Sequence, residues 1–173
     1  SSACVYGNTS KAPVKEMDPL MPLNVYAHTK LICENMINMT ASLNNKIKYA
    51  NLRYFNPAGA HESGFIGEHA QEISKNLFPV IANLSNKSGN ELYIYGSDYN
   101  TPDGTPIRDY IHIMDFVEGH IKALNYISDD KVFFSIIFGT GICVSVLDVI
   151  NSYIYFADSI LIFVFFLGSF TLD

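Results

Sequence analysis

Short apolar segments alternate with longer segments of helical periodicity, and this alternation constrains the fold more than any other feature of the sequence. Strands are predicted at residues 47–55, 92–95 and 132–138, and helices at residues 26–43 and 116–127. Strands that are separated by helices usually run parallel to one another in one sheet. The sequence therefore predicts an α/β fold with a mainly parallel sheet.

Several shorter signals add detail to this pattern. Residues 77–84 are apolar enough for a buried helix, and the motif Ser145-x-x-Asp148 is typical of a helix N-terminus. Asp115 and Glu118 are expected to cap the helix that follows them. Residues 1–7 read as the end of a strand that runs into a loop.

The charge and cysteine content narrow the range of partners. The chain has 173 residues, a formal net charge of −6 and no run of basic residues, which argues against nucleic acid as a partner. Its three cysteines are widely spaced, so neither a disulfide framework nor a zinc site is predicted, and no metal is expected. A reducing, cytoplasmic location follows as the expectation.

The C-terminal segment is unusually apolar. The uninterrupted run at residues 160–167 is too short for a bilayer, which needs about 20 residues. A longer span would include Asp158, at a cost of roughly 3 kcal/mol near the bilayer centre. A membrane partner is therefore not expected. We treat residues 152–173 as a tail of doubtful origin and hypothesise that it is translated from intron or frame-shifted DNA, with a buried strand as the alternative.

The motif Tyr26-x-x-x-Lys30 is the first indication of chemistry. Residues four apart lie one turn apart on the same face of a helix. A lysine ammonium beside a phenol favours the phenolate, which can then take a proton from a substrate hydroxyl near neutral pH. The alternative is that Tyr26 is packed and Lys30 pairs with Glu34 at the next turn.

Four further blocks accompany this pair, and together they carry a family resemblance. The blocks are Ser1-Ser2-Ala3-Cys4-Val5-Tyr6-Gly7, Leu52-Arg53-Tyr54-Phe55-Asn56-Pro57-Ala58-Gly59-Ala60-His61, Asn76-Leu77-Phe78-Pro79 and Pro102-Asp103-Gly104-Thr105-Pro106-Ile107-Arg108-Asp109-Tyr110-Ile111-His112. Residues 1–151 resemble the central part of the UDP-glucose 4-epimerases, which are extended short-chain dehydrogenases/reductases. The resemblance implies an incomplete Rossmann-like parallel sheet without its N-terminal half, and part of a nucleotide-sugar-binding domain.

The resemblance also implies an activity. Enzymes of this family use NAD to oxidise the sugar at C4 through a 4-keto intermediate, and so interconvert UDP-glucose and UDP-galactose in galactose metabolism. It further implies that the full-length protein is a homodimer. The glycine-rich Gly-x-x-Gly-x-x-Gly loop of the family does not occur in these 173 residues. We therefore expect the isolated chain to be inactive.

The resemblance assigns roles residue by residue. Tyr26 matches the base, Lys30 the residue that lowers its pKa and holds the nicotinamide ribose, and Ser2 a serine that bonds the sugar hydroxyl. Phe55 matches a residue that contacts NAD. The positions that match UDP-sugar-binding residues are Asn56, Asn76, Leu77, Tyr93, Ile94, Tyr95 and Arg108.

Each assignment has a structural alternative. Ser2 is also suited to cap a backbone group, Tyr95 to pack within a strand, and Arg108 to form a salt bridge with a nearby aspartate. At the level of the whole chain, another NDP-sugar enzyme of the same fold or a non-catalytic pseudoenzyme remains open. Ala3 stands where the related dehydratases carry an acidic residue, which disfavours dehydration.

Overall fold

A computed structural model of the chain describes residues 1–8, 13–68, 76–85, 91–128, 133–156 and 163–167. Four α-helices and seven strands are assigned within these ranges. In chain order they are α1 (Val25–Leu43), β1 (Tyr49–Tyr54), β2 (Asn56–Ala58), α2 (Leu77–Ser85), β3 (Glu91–Tyr95), β4 (Ile107–His112), α3 (Ile113–Ser128), β5 (Phe133–Phe138), β6 (Cys143–Ser145), α4 (Val146–Phe156) and β7 (Phe163–Leu167).

The chain divides into two compact units. The first contains Ser1–Ala58 and Tyr110–Gly141, and the second contains Gly59–Asp109 and Ile142–Asp173. The domain boundary that we predicted at residue 151 falls inside α4, within the second unit.

Two parallel strands form the centre of the first unit. β1 and β5 pair from Tyr49 opposite Phe133 to Tyr54 opposite Phe138, as expected for strands separated by helices. Successive side chains of β1 point to opposite faces. Arg53 therefore bonds to α1, whereas the ring of Tyr54 packs edge-on against Phe116 of α3. The two helices consequently cover opposite faces of this pair of strands.

Helix α1 begins and ends close to its predicted limits. Asn24 caps its N-terminus, because its side-chain oxygen accepts a hydrogen bond of 2.8 Å from the backbone N–H of Ala27. The segment that precedes it differs from the prediction. Ser2 forms a parallel bridge with Tyr54, but Ala3–Tyr6 is a short 3₁₀ helix rather than a loop. The first expectation for residues 1–7 was thus right for Ser2 and wrong for the residues after it.

The predicted cap of α3 was wrong. The helix begins at Ile113, and the ring nitrogen Nδ1 of His112 accepts the backbone N–H of Met114 at 3.2 Å. Asp115 lies in the first turn, where a carboxylate interacts favourably with the helix dipole. A histidine at the end of β4 thus takes the place that we expected an aspartate to occupy.

An apolar cluster forms the core of the second unit. Ile81 of α2, Leu92 and Ile94 of β3, and Ile150 of α4 are all at most 5% exposed. β3 alternates, so Tyr93 and Tyr95 point away from this cluster. β3 pairs in parallel with β7, which means that part of the apolar tail is a strand. Among the described residues, no helix is both long and apolar enough to cross a membrane.

β4 contributes to both units. Its first half pairs antiparallel with β6, with Arg108 opposite Val144, and its second half pairs parallel with β2, with Asn56 opposite Tyr110. The predicted cap at the start of α4 is confirmed, because the hydroxyl of Ser145 accepts the N–H of Asp148 at 2.9 Å.

Candidate active site

The Tyr26–Lys30 pair lies on one face of α1, as the spacing predicts. Both residues belong to the first two turns of the helix, and the ammonium Nζ of Lys30 is 5.3 Å from the centroid of the Tyr26 ring. The Tyr26 side chain is 53% exposed, so a ligand can reach it. The cap at Asn24 fixes the turn from which the phenol projects.

Ser2 lies at the end of β1, beside the segment that carries Phe55. It is 6% exposed and bridges Tyr54, the residue before Phe55. Its hydroxyl accepts the backbone N–H of Cys4 at 3.3 Å, which is the capping role given above as the alternative. That hydroxyl still has a proton to donate, so the cap and a substrate bond are chemically compatible.

Ser1 connects the Ser2 segment to α1. Its hydroxyl donates a hydrogen bond to Oε1 of Glu34, one turn after Lys30. This bond attaches the Ser1–Ser2 segment to α1 one turn after Lys30.

Glu34 and Arg53 form a buried ion pair that the sequence did not predict. Their side chains are 4% and 6% exposed, and Nη2 of Arg53 is 2.7 Å from Oε2 of Glu34. Burial alone would raise the pKa of Glu34, but the hydrogen bonds from Arg53 and Ser1 outweigh it and the net shift is downward. Glu34 therefore forms its ion pair with Arg53 in this structure, whereas the alternative given above paired it with Lys30.

Phe55 and Asn56 complete the predicted residues of the first unit. Phe55 is half-buried, and its N–H donates to the carbonyl oxygen of Phe138 at 2.9 Å. Asn56 is exposed at the start of β2. The first unit thus contains five of the predicted site residues, namely Ser2, Tyr26, Lys30, Phe55 and Asn56.

The remaining predicted residues belong to the second unit and are described by themselves. Asn76 immediately precedes α2 and its carbonyl oxygen accepts the N–H of Val80, while Leu77 packs against the apolar core. Tyr93 and Tyr95 are 44% and 65% exposed, but Ile94 is 4% exposed. The side chain of Ile94 is therefore part of the core.

Arg108 is exposed on β4, where one guanidinium nitrogen donates to the carbonyl oxygen of Ile107 at 2.8 Å. The turn before β4 is ordered by Asp103, which accepts hydrogen bonds from the backbone and hydroxyl of Thr105, both at 2.8 Å. A bond from Ser145 is the main reason that the pKa of Asp103 is lowered. Asp103 thus fixes the start of the strand that carries Arg108.

Comparisons with known proteins support the family resemblance that the sequence blocks indicate. Residues 1–134 match the model of the NAD dependent epimerase/dehydratase family. The chain is 41% identical over 153 residues to the UDP-glucose 4-epimerase of Bacillus subtilis (strain 168), which covers 88% of this chain and 45% of the relative. It is 47% identical over 135 residues to the bifunctional protein GAL10 of Pachysolen tannophilus, covering 76% of this chain and 20% of the relative.

The fold has close counterparts among solved structures. The UDP-glucose 4-epimerase of Bifidobacterium longum, solved in complex with NAD+ and UDP, superposes with a TM-score of 0.91 and 37% identity. The superposition covers all of this chain and 51% of that structure's chain, so the present chain spans about half the length of such relatives. The predicted Rossmann-like α/β class is confirmed. The chain belongs to the NAD dependent epimerase/dehydratase family.

Proposed function

We propose that this chain is part of an enzyme that interconverts UDP-glucose and UDP-galactose by oxidation and reduction at C4 of the sugar. The observation that carries the proposal is the Tyr26–Lys30 pair, with a ring-to-ammonium distance of 5.3 Å, beside the buried Ser2 segment. Relatives at 41% and 37% identity are UDP-glucose 4-epimerases, and GAL10 supports a role in galactose metabolism.

Each residue of the pair has a defined task in this reaction. Tyr26, exposed and next to an ammonium, removes the proton of the C4 hydroxyl as a general base. Lys30 would donate a hydrogen bond to a ribose hydroxyl of the cofactor. Ser2 donates a hydrogen bond to the same sugar oxygen, since its hydroxyl accepts from Cys4 and retains its own proton.

The residues at this site fit the nicotinamide end of NAD. An ammonium and a phenol on one helix face, with Phe55 half-buried in the same unit, offer hydrogen bonds to a ribose and an aromatic contact to a flat ring. When bound, NAD supplies the acceptor and donor of hydride that the oxidation needs. The sequence holds no glycine-rich loop for the pyrophosphate, so we expect no turnover by this chain alone.

The second unit is proposed to bind the UDP part of the substrate. Arg108 is exposed, and its planar guanidinium is suited to a diphosphate because it donates two bonds at once. Tyr93 and Tyr95 project from β3 and offer aromatic faces to the uracil. Asn76 and Leu77 contribute from the start of α2. Asn56 lies on β2 of the first unit and is proposed to contact the sugar there.

UDP binding by the 173-residue chain is the direct test, because it needs no turnover. We expect isothermal titration calorimetry to detect UDP binding and Arg108→Gln to weaken it by about tenfold or more, since a bond to a charged group contributes roughly 1.5–3 kcal/mol. Lys122→Gln is the matched control, because Lys122 is an exposed cation that pairs with Glu118 on α3. A folded chain that binds no UDP, or equal effects of the two substitutions, would contradict the proposal.

The catalytic part of the proposal is tested by complementation. The chain is co-expressed with the part of the Bacillus subtilis relative that it does not match, and conversion of UDP-galactose to UDP-glucose is measured. We expect activity that Tyr26→Phe abolishes, since phenylalanine keeps the ring and removes the base. Full activity of the Tyr26→Phe variant would refute the role of Tyr26.

We also propose a homodimer in a cytoplasmic location. The face of α1 opposite Ala27 and Glu34 carries five apolar residues that are 55–89% exposed and lie three, four or seven residues apart. They are Val25, Ile32, Met36, Met39 and Leu43. This spacing suits packing against a second helix of the same kind. The free cysteines Cys4, Cys33 and Cys143 support a reducing compartment.

A further inference from the structure

Few residues of helix α1 are buried in the first unit. Its only buried residues among the described ones are Ala27 and Glu34. On β1, the buried residues are Asn51 and Arg53, and Arg53 is the one that contacts α1. Hydrogen bonds, whose directions are restricted, therefore contribute to the position of α1 and of Tyr26 on it.

The guanidinium of Arg53 is the centre of these hydrogen bonds. Its Nε donates to Oε1 of Glu34 at 3.0 Å and its Nη2 to Oε2 at 2.7 Å. Its Nη1 donates to the hydroxyl of Tyr6 at 2.8 Å and to the carbonyl oxygen of Glu16 at 2.9 Å. One side chain of β1 thus contacts α1, the 3₁₀ helix after Ser2 and the loop that precedes α1.

Glu34 is the second branch point. Its carboxylate accepts hydrogen bonds from Nε and Nη2 of Arg53 and from the hydroxyl of Ser1. Along the chain, Glu34 is four residues after Lys30, and Ser1 is adjacent to Ser2. The network therefore reaches each proposed active-site segment through one residue or one helical turn.

A buried ion pair is weak evidence for stability, because desolvation of the two charges offsets their attraction. Its geometry is demanding, however, since a bidentate guanidinium–carboxylate pair permits one relative orientation. Apolar packing of the same volume would hold the helix to the strand and tolerate a slide or rotation. In this chain the bidentate pair of Arg53 and Glu34 lies where α1, which carries Lys30, meets the segment that carries Ser2.

We propose that Glu34 and Arg53 are positioning residues of the active site, which hold α1 in register with the Ser1–Ser2 segment so that Tyr26 and Ser2 act on one sugar hydroxyl, with Lys30 beside the phenol. The inference rests on the proposed function for its meaning. The register itself is a property of this chain, and it is measured without substrate or cofactor.

The test replaces the ion pair by an apolar pair of similar volume, Glu34→Met with Arg53→Met. A purely structural pair would be replaced without consequence, since such substitutions are often neutral or stabilising. If the pair positions α1, the double variant melts at or above the temperature of the parent but loses the register. Lys122→Met, which removes the cation of an exposed ion pair on α3, is the control.

Register is read by paramagnetic relaxation from a nitroxide on Cys33, which is exposed on α1 next to Glu34. Cys4 and Cys143, both exposed, are first changed to serine. In the parent, the label should reduce the intensity of the amide signals of Ala3 and Val5, because α1 packs against the 3₁₀ helix. The amides of α1 itself serve as an internal reference, since their distance to the label does not depend on the ion pair.

The expected result is a changed attenuation at Ala3 and Val5 in the double variant, with attenuation within α1 unchanged. Equal attenuation in parent and double variant, or no attenuation in the parent, would overturn the proposal. If the double variant does not fold, Glu34→Gln replaces it, with the same two outcomes. UDP titration of the parent is run in parallel: its failure counts against the proposed function, whereas equal attenuation with intact UDP binding counts against the positioning role alone.

Discussion

Replacing Arg53 by methionine should destabilise the chain by an amount that depends strongly on pH. The substitution removes all four hydrogen bonds of the guanidinium and leaves Glu34, 4% exposed, with the Ser1 hydroxyl as a donor. Removing one partner of a buried ion pair costs about 3–5 kcal/mol near neutral pH. The remaining carboxyl can reduce this cost by taking up a proton, and the proton is what makes the effect depend on pH.

The direction follows from the pKa of Glu34 in each protein. In the parent, burial raises that pKa but the bonds from Arg53 and Ser1 outweigh it, so the net shift is downward. The stabilising contribution of Glu34 is then present above the ordinary pKa of a glutamate, and it is lost as the pH falls through the lowered folded-state value. Between pH 5 and pH 7, the contribution of Glu34 to the free energy of unfolding of the parent therefore changes little.

In the variant, burial is left without the guanidinium to oppose it, so the pKa of Glu34 rises above that of the unfolded chain. The folded state then holds a proton that the unfolded state releases, and its stability falls as the pH rises. Each pH unit is worth about 1.36 kcal/mol, so the deficit relative to the parent should grow by up to about 2.7 kcal/mol from pH 5 to pH 7.

Urea titrations at the two pH values measure this difference. Unfolding is followed by far-ultraviolet circular dichroism and by tyrosine fluorescence, which is usable because the chain has no tryptophan. Lys122→Met is again the control, and we expect its effect to be small and the same at both pH values. A deficit for Arg53→Met that is equal at pH 5 and pH 7, or below about 1 kcal/mol at pH 7, would refute the reasoning.

Two further predictions concern the backbone and the oligomer. Gly7→Ala should lower the melting temperature strongly in thermal melts, because Gly7 has a φ of 65° and an added Cβ would lie 2.0 Å from the carbonyl oxygen of Met21. Gly64→Ala, at φ 72° with nothing within 4 Å of the added Cβ, should lower it less, and an equal effect of the two substitutions would contradict this. Met36→Glu with Met39→Glu should convert a dimer into a monomer in analytical ultracentrifugation, since both side chains are more than 60% exposed on α1; a parent that is monomeric at all concentrations would contradict this.

The features that could be predicted from the sequence are those set by neighbouring residues. The start of α1 follows from Asn24, whose side chain satisfies a backbone donor three residues away, and the cap at Ser145 has the same spacing. The Tyr26–Lys30 contact also spans a single turn. The 3₁₀ helix at Ala3–Tyr6 was missed, since the isolated block shows neither helical periodicity nor a strand neighbour.

The candidate site was predictable only in its local parts. Residues of one block remain adjacent in the fold, as Asn76 and Leu77 do at the start of α2. The orientation of a side chain depends on which face of an element is covered, which is why Tyr95 is exposed and Ile94 is in the core. Alternation along β3 contains that information, but the polar side of the strand cannot be assigned until its packing partners are known.

The Arg53–Glu34 pair joins residues 19 positions apart, and the bonds of Ser1 and Tyr6 to it span 33 and 47 positions, so no local pattern reveals it. A physical argument from the sequence could nevertheless have found it. A parallel strand between two helices has both faces covered, so a charged residue on it must meet an opposite charge. Arg53 is the charged residue of β1, and Glu34 is the only acidic residue of α1. Once the strand is predicted to be covered on both faces, the partner of Arg53 is nearly determined, and with it the contact that holds the Tyr26 helix to the strand beside Ser2.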